Sequence, residues 1–214
     1  MSAISYDPLP FSRYEQSPDE LAQSLLGKLL IHKTPHTFYS GIIVETESYN
    51  WRSDPACHGY RNITPRNRIM FEWAGYIYMY RSYGIHTCFN ITAAPAGDSG
   101  AVLVRAVQPI DGIEAMYKNR AKAKRDRDLC SGPWKVCEAM ELTMDLYGHQ
   151  LDQFPLVCAD IWVDYTGTQI TQTTRIGLTK WADLPLRRYV TDNPHVSRKI
   201  KKIHPRTWDQ ISEN

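Results

Sequence analysis

An α+β fold, a single domain with a mostly antiparallel curved sheet flanked by helices, is what this sequence predicts, on three observations. Its short strand-like runs follow one another along the chain instead of alternating with helices, which favours antiparallel pairing over a doubly wound sheet. The 214 residues have 43% hydrophobic content, enough for one core that removes roughly 70% of the unfolded surface from water. No repeat, low-complexity tract or linker divides them, and Pro and Gly are scattered as turn residues.

The first element is a helix over 18–26. Ser17-Pro18-Asp19-Glu20 has the capping-box form with proline at the first helical position, and apolar residues follow at 21, 22, 25 and 26. Strand-like runs come next, at 29–32, 38–49, 76–80, 86–92 and 101–107. Two helices follow, 112–125 capped by Asp111 and 133–142 capped by Ser131. Short strands return near 160–163 and 186–190, ahead of a basic stretch.

Composition excludes several classes. With 25 Lys+Arg against 23 Asp+Glu, the chain is neither a disordered low-complexity protein nor a uniformly acidic or basic tail. No apolar run approaches the roughly 18 residues that cross a bilayer, and the first eleven residues lack a secretory pattern, so neither membrane insertion nor secretion is expected. The cysteines, Cys57, Cys88, Cys130, Cys137 and Cys158, are odd in number and contain no Cys-x-x-Cys pair. That argues against a disulfide framework and a structural zinc, and for a reducing compartment.

The net charge of +2 hides an uneven distribution. Residues 187–206 carry +6, residues 118–128 carry +4 and residues 52–81 carry +3, leaving −11 elsewhere. Three basic stretches brought to one face would suit a polyanion; dispersed, they are ordinary solvated faces.

In Gly41-Ile42-Ile43-Val44-Glu45-Thr46-Glu47-Ser48-Tyr49, a period of two sets Ile43, Glu45, Glu47 and Tyr49 on one face and Ile42, Val44, Thr46 and Ser48 on the other. Two carboxylates leaving an apolar start fit a pocket edge, where one acts as a general base, or a strand emerging into solvent. Tyr76-Ile77-Tyr78-Met79-Tyr80 puts three tyrosines on one face, a stacking surface for bases or a core stripe. Arg105, between the apolar same-face neighbours Leu103 and Val107, needs a carboxylate partner, in a structural salt bridge or an active site. Cys88 and Asn90 share a face of the preceding strand, where a buried amide requires partners.

Taken in order, these segments resemble the alkyladenine (3-methyladenine) DNA glycosylase family. The resemblance runs from about 18 to 197. It rests on Val44-Glu45-Thr46-Glu47-Ser48-Tyr49, Asp54-Pro55-Ala56-Cys57-His58, Thr64-Pro65-Arg66-Asn67-Arg68-Ile69-Met70-Phe71, and Gly75 through Tyr80 to Tyr83-Gly84. It continues through Cys88-Phe89-Asn90, Val102-Leu103-Val104-Arg105-Ala106, Cys130-Ser131-Gly132-Pro133 and Arg175-Ile176-Gly177-Leu178-Thr179-Lys180.

The resemblance implies one domain over 1–214, with 1–16 as an N-terminal extension and 198–214 as a basic tail. It implies a monofunctional enzyme that flips a damaged purine out of duplex DNA and hydrolyses its N-glycosidic bond, with no cofactor and no metal. Glu47 matches the family's general base and Arg105 the residue that positions the water. Tyr49, His58 and Tyr80 match the groups that hold the flipped base, and Cys88 is a further pocket-lining candidate. Asn90 matches the amide that disfavours ordinary guanine. Tyr83 matches the residue that fills the gap in the base stack, with Gly84 allowing the tight turn.

Arg66, Arg68, Arg81, Lys180 and Arg187 are the candidates for contact with the DNA backbone. The lesions expected are of the 3-methyladenine, 7-methylguanine, ethenoadenine or hypoxanthine type. Damaged double-stranded DNA is the expected partner, for a monomer in the cytoplasm with the nucleoid, as in bacterial members, or in the nucleus of a eukaryote. The chain departs from the family at Arg81 and Ser82, where apolar or aromatic residues are usual, and at Arg188, where an aromatic is common. It has no lysine in a Schiff-base motif and no helix-hairpin-helix signature, so lyase activity is not expected. Two other readings stand beside this one: a protein that binds damaged DNA without chemistry, and an RNA-binding module that uses the tyrosine strand for stacking.

Overall fold

The computed structural model describes residues 6–60, 62–93, 99–161, 169–179 and 181–199. Nine strands build one antiparallel sheet: β1 (Asp7–Pro8), β2 (Leu29–Lys33), β3 (Phe38–Asn50), β4 (Ile77–Ser82), β5 (His86–Ala93), β6 (Gly100–Asp111), β7 (Leu156–Asp160), β8 (Ile170–Thr173) and β9 (Arg187–Val190). Their order is β1-β7-β2-β3-β6-β5-β4, with β9 added to β3 and β8 to β9. This is the single-domain α+β architecture that the run of consecutive strands predicts.

The helix α1 (Pro18–Ser24) starts with the full capping box: the Ser17 hydroxyl accepts from the Glu20 amide, and the Glu20 carboxylate accepts from the Ser17 amide. Leu21, Ala22 and Leu25 are buried against the sheet, and the Thr46 hydroxyl donates to the Ala22 carbonyl at 2.7 Å. Residues 6–16, expected as an extension, take part in the fold. Asp7–Pro8 pairs with β7, and Tyr14 is fully buried.

The strand β3 is long enough to serve two neighbours on one edge. Its first half pairs with β2 and its second half with β9, while β6 runs along the other edge. Register shifts around Glu45 mark a β-bulge, and Ile43 and Val44 both enter the main core. The strict alternation expected from residue 42 therefore breaks at the bulge, a device that re-aims side chains near sites. Beyond it Glu45, Glu47 and Tyr49 face one way, as expected.

The helical middle of the chain is shorter than expected. The span 112–125 divides into α2 (Ile113–Asn119) and α3 (Asp126–Leu129). Asp111 ends β6 and accepts from Ser40 Oγ at 2.6 Å; the cap position is Gly112, at φ 78°. The break follows from Arg120, whose side chain turns inward to Glu138 and lies 4.7 Å from the Trp134 ring. Next, α4 (Pro133–Ala139) is capped by Gly132 without side-chain help, because Ser131 forms a bridge with Ala106 of β6. It stops at Ala139, where His32 Nδ1 donates to the Met140 carbonyl at 2.7 Å.

The strand expected at 160–163 is β7, set earlier in the chain; residues 162–163 lie outside the described residues. Nothing in the sequence pattern pointed to β8. The main core fills one face of the sheet under the four helices. On the other face a smaller cluster of Cys57, Ile69, Met70, Tyr78 and Ala101 is ringed by Tyr49, Trp51, Tyr76 and Tyr80. That aromatic cluster carries the site.

Candidate active site

Glu45 and Glu47 stand two residues apart on β3, and Arg105 on β6 reaches both. Its Nε lies 3.0 Å from Glu45 Oε1 and its Nη1 3.2 Å from Glu47 Oε1. Both carboxylates are fully buried and the arginine is 7% exposed. The two acids and the cation share one desolvated site, where charges attract strongly and tolerate no missing partner.

The carboxylates differ in what else they hold. Glu45 also accepts from Arg187 Nε at 2.7 Å, from Ser197 Oγ at 2.8 Å and from the Ser197 amide at 2.6 Å. For Glu47, Oε1 accepts from the Ile176 amide at 2.8 Å and forms an ion pair with Arg105, while Oε2 accepts from the Tyr49 hydroxyl at 2.8 Å. A carboxylate has about four acceptor positions, so Glu47 Oε2 keeps one for a further donor.

A second buried ion pair braces this centre. Arg175 pairs through both terminal nitrogens with Asp54, each side chain fully buried. It also donates to the Ser48 carbonyl at 3.1 Å and lies 4.6 Å from the Tyr49 ring. The clamp ties the loop after β8 to β3, which delivers the Ile176 amide to Glu47.

On its other side the Tyr49 ring walls a cavity of about 80 Å³. Tyr78, Tyr80 and His58 complete the aromatic wall, and Met70, Asn90 and Leu178 close it. His58 meets Tyr80 edge-on at 4.6 Å between centroids, and its Nδ1 is 2.9 Å from the Tyr78 hydroxyl. Burial against the rings, and then the Arg66 guanidinium, hold the His58 pKa below its usual 6.5. The wall tyrosines are pushed up by desolvation, Tyr78 to about 12, so their hydroxyls stay protonated donors. Asn90 fixes its amide on the Tyr78 carbonyl at 3.0 Å.

Beyond Tyr80, the β4–β5 hairpin ends in Tyr83 and Gly84 at φ 51° and 75°. This is the pair of positive-φ residues that a tight hairpin turn of primed type requires. Tyr83 is 91% exposed and Ile85 74%.

The family model described as Methylpurine-DNA glycosylase (MPG) matches residues 12–194, a span holding every one of these groups except Ser197. The chain belongs to that family. It is 45% identical over 179 residues, 83% of this chain and 85% of the other, to a protein of Prosthecochloris aestuarii named "Putative 3-methyladenine DNA glycosylase". A protein of the same name from Methanoculleus marisnigri is 44% identical over 193 residues, covering 89% of this chain and 99% of its own. One from Francisella tularensis is 43% identical over 182 residues, with coverages of 84% and 93%.

For a member of this family the placement of the expected residues is instructive. Glu47, Arg105, Tyr49, His58, Tyr80 and Asn90 converge, and Tyr83 stands free at the hairpin tip. Cys88 does not line the cavity; it is buried behind Tyr80, its thiol against that residue's hydroxyl. Arg187 is no surface cation: it is fully buried on Glu45, with its Nη2 on the Arg198 carbonyl. Arg188, expected at the surface, is also buried, its guanidinium paired through two nitrogens with Asp19.

Arg66 and Arg68 are exposed near the cavity, Arg68 in an i,i+4 pair with Glu72 at 2.6 Å. Arg81 is exposed too, but alternation along β4 turns it from Tyr80 to a groove shared with His86, Trp134 and Glu138. Lys180 and residues 200–214 lie outside the described residues. Sequence reasoning gave Tyr78 only a place in the tyrosine stripe and assigned no role to Asp54 or Arg175. Opposite charges in two of the quoted motif stretches were the available signal for the last pair. Among the described residues, no three His, Cys, Asp or Glu side chains are grouped to hold a metal, and no helix is long and apolar enough to cross a membrane.

Proposed function

We propose that this protein is a monofunctional glycosylase that everts an alkylated or deaminated purine from duplex DNA and hydrolyses its N-glycosidic bond. One observation carries the reading. A fully buried glutamate, with one oxygen held by an amide and an arginine and the other keeping an acceptor position, is joined through a single tyrosine to an aromatic cavity.

The steps follow from the groups present. The flipped base enters between Tyr49 and the His58–Tyr80 pair, where aromatic faces contribute about 1–3 kcal/mol per stacked base. The Tyr49 phenol stands between Glu47 and the cavity. Seating the nucleotide moves its hydroxyl off Glu47 Oε2 and opens that oxygen to water. As the C1′–N bond breaks, its electron pair leaves with the base and positive charge grows on the sugar, which the Glu47 carboxylate stabilises. Water adds to C1′ and gives its proton to Oε2, while Arg105 and the Ile176 amide fix Oε1.

A cationic 3-methyladenine or 7-methylguanine departs as a neutral base and needs no proton. Hypoxanthine and ethenoadenine need one, and the neutral His58 at the mouth is a poor donor. Cationic lesions are therefore the preferred substrates. Among the described residues, no lysine lies in the cavity wall or on either carboxylate, which supports hydrolysis without strand cleavage. Tyr83, a large side chain held out into solvent, fills the space that the base vacates, at a cost of a few kcal/mol of unstacking that the new contacts offset. Arg66 and Arg68 flank the opening and contact phosphates; Arg81 meets DNA only where it passes over the hairpin.

The test is base release from duplexes with a single 7-methylguanine, ethenoadenine or hypoxanthine, with protein in excess, followed by cleavage of the abasic product with alkali. Glu47→Gln should lower single-turnover release about a thousandfold or more, with lesion-duplex binding held within about tenfold. Cleavage near the wild-type rate in that variant would remove Glu47 from the role. Binding without release by the wild type would make the protein a damage-binding factor.

A further inference from the structure

The second acid of the pair is as deeply buried as the first and belongs to no step above. Its four donors come from two arginines and one serine, none of them in the cavity wall: Arg105 Nε, Arg187 Nε and Ser197 Oγ all meet Oε1, and the Ser197 amide meets Oε2. A carboxylate held by two arginines and bonded to no residue of the cavity is placed worse as a base than Glu47, which Tyr49 joins to that cavity. It does, however, hold the same guanidinium that meets Glu47. Taking Nε at 3.0 Å leaves the Nη1 edge of Arg105 aimed at Glu47 Oε1 at 3.2 Å. The planar fork of arginine spans two carboxylates in a way no lysine can.

Energetics point the same way. Arg187 is fully buried, and its Nη1 is a buried donor with no hydrogen-bond partner among the described residues. Such an orphan costs about 1–3 kcal/mol, and an apolar residue in β9 would avoid it. What the arginine contributes is charge: two cations, Arg105 and Arg187, balance two carboxylates. With Glu45 neutral the balance becomes two cations against Glu47 alone, and Arg105 is free to turn fully onto the base. The β-bulge at Glu45 aims this acid into the centre at some cost to the ladder.

We infer that Glu45 is a positioning residue for the hydrolysis. It fixes Arg105 through Nε and offsets the paired arginines, so that Glu47 keeps the strength of a base and the site keeps a negative charge facing the developing sugar cation. The inference rests on the glycosylase reading with Glu47 as base. Among the described residues, the other ionisable groups around Glu47 are Tyr49 on β3, Tyr80 on β4, Cys88 on β5 and Arg175, with Arg187 opposite it in register on β9. The tyrosines and the thiol are pushed up by burial and stay neutral near pH 7. Glu45 and the arginines therefore set the charge that Glu47 meets.

The experiment measures single-turnover release from a 7-methylguanine duplex across pH 5–9 for the wild type, Glu45→Gln and Glu45→Asp, with lesion-duplex affinity and thermal unfolding of each. Glu45→Gln is expected to bind within about threefold and to release base about 10–100-fold more slowly on the plateau. The acid limb of its profile should move down by about half a pH unit or more, since removing a negative neighbour eases ionisation of the remaining acid.

Glu45→Asp keeps the charge but withdraws it by one methylene. Its limb should stay in place while its plateau falls about tenfold. A folded Glu45→Gln with the wild-type plateau and limb would overturn the inference, as would two variants with the same limb, since a structural role moves only the melting temperature. Where Glu45→Gln does not fold, Glu45→Asp decides alone, and a wild-type plateau there overturns it. An inactive wild type would remove the glycosylase reading itself, a result these variants do not mimic.

Discussion

Two neighbouring regions of this molecule are built on opposite principles. The floor of the site, from Glu45 and Glu47 through Arg105 and Arg187 to the Asp54–Arg175 pair, is buried, paired and crossed by hydrogen bonds from five segments of the chain. The hairpin tip, three residues along the chain from Tyr80 of the cavity wall, holds Tyr83 and Ile85 out to solvent with φ positive at two successive residues. Chemistry needs groups fixed before substrate arrives, because reorganisation during the reaction adds to the barrier. A wedge gains its partners only from the opened base stack, so nothing in the free protein stabilises it.

The contrast breaks most visibly in stability. Asp54→Ala leaves the Arg175 guanidinium buried and unpaired, and should cost about 3–5 kcal/mol. Denaturant unfolding measures it, and a loss under 1 kcal/mol would show the floor to be less dependent on its charges than the geometry requires. Tyr83→Ala should leave stability within about 0.5 kcal/mol. It should weaken lesion-duplex binding about 10–100-fold, read by titration at fixed salt, because flipping loses its plug.

Gly84→Ala lies between these. A Cβ there meets nothing within 4 Å, so the cost is that of φ 75° for an L-residue, about 1–2 kcal/mol. A thermal melt should fall by a few degrees with little change in base release from a seated lesion.

The smallest effects come with pH. His32 is buried as the neutral ring, and desolvation holds its pKa below 6.5. The unfolded chain therefore binds more protons as pH falls below about 6.5, and stability present above that pH is lost through the native pKa. His32→Gln should flatten the fall in melting temperature between pH 7 and 5 by about 2–4 °C. His58, lowered for the same reason, brings a cation into the base cavity when protonated. Release of 7-methylguanine should then decline below pH 6 about threefold more steeply than release of hypoxanthine, and His58→Asn should remove the difference.

The family assignment was legible from motif order, since Glu47, Tyr49, His58, Tyr80 and Asn90 each fall in a stretch recognisable from sequence. Their convergence is what the antiparallel sheet adds. Arg187 and Arg188 mark the limit. A dense basic run reads as a phosphate-binding face, yet one arginine lies under Glu45 and the other on Asp19. Burial of a charge depends on whether a carboxylate from a distant segment arrives beside it, and charge density along the chain says nothing of that. Cys88 failed in the same way, because sharing a strand face with Asn90 did not decide which of the two opens on the cavity.

By itself the sequence determined what neighbours in the chain can decide: the capping box of α1, the alternation that makes β3 to β6 strands, and the positive-φ turn of Tyr83-Gly84. Those follow from interactions within a few residues. Only the tertiary structure decided which of two identical carboxylates is joined to the cavity and which is held by a second arginine. Glu45 meets Arg187, 142 positions away, and Ser197, 152 away, while Glu47 meets the Ile176 amide, 129 away. Side chains of equal chemistry acquire different work when the fold chooses their hydrogen-bond donors.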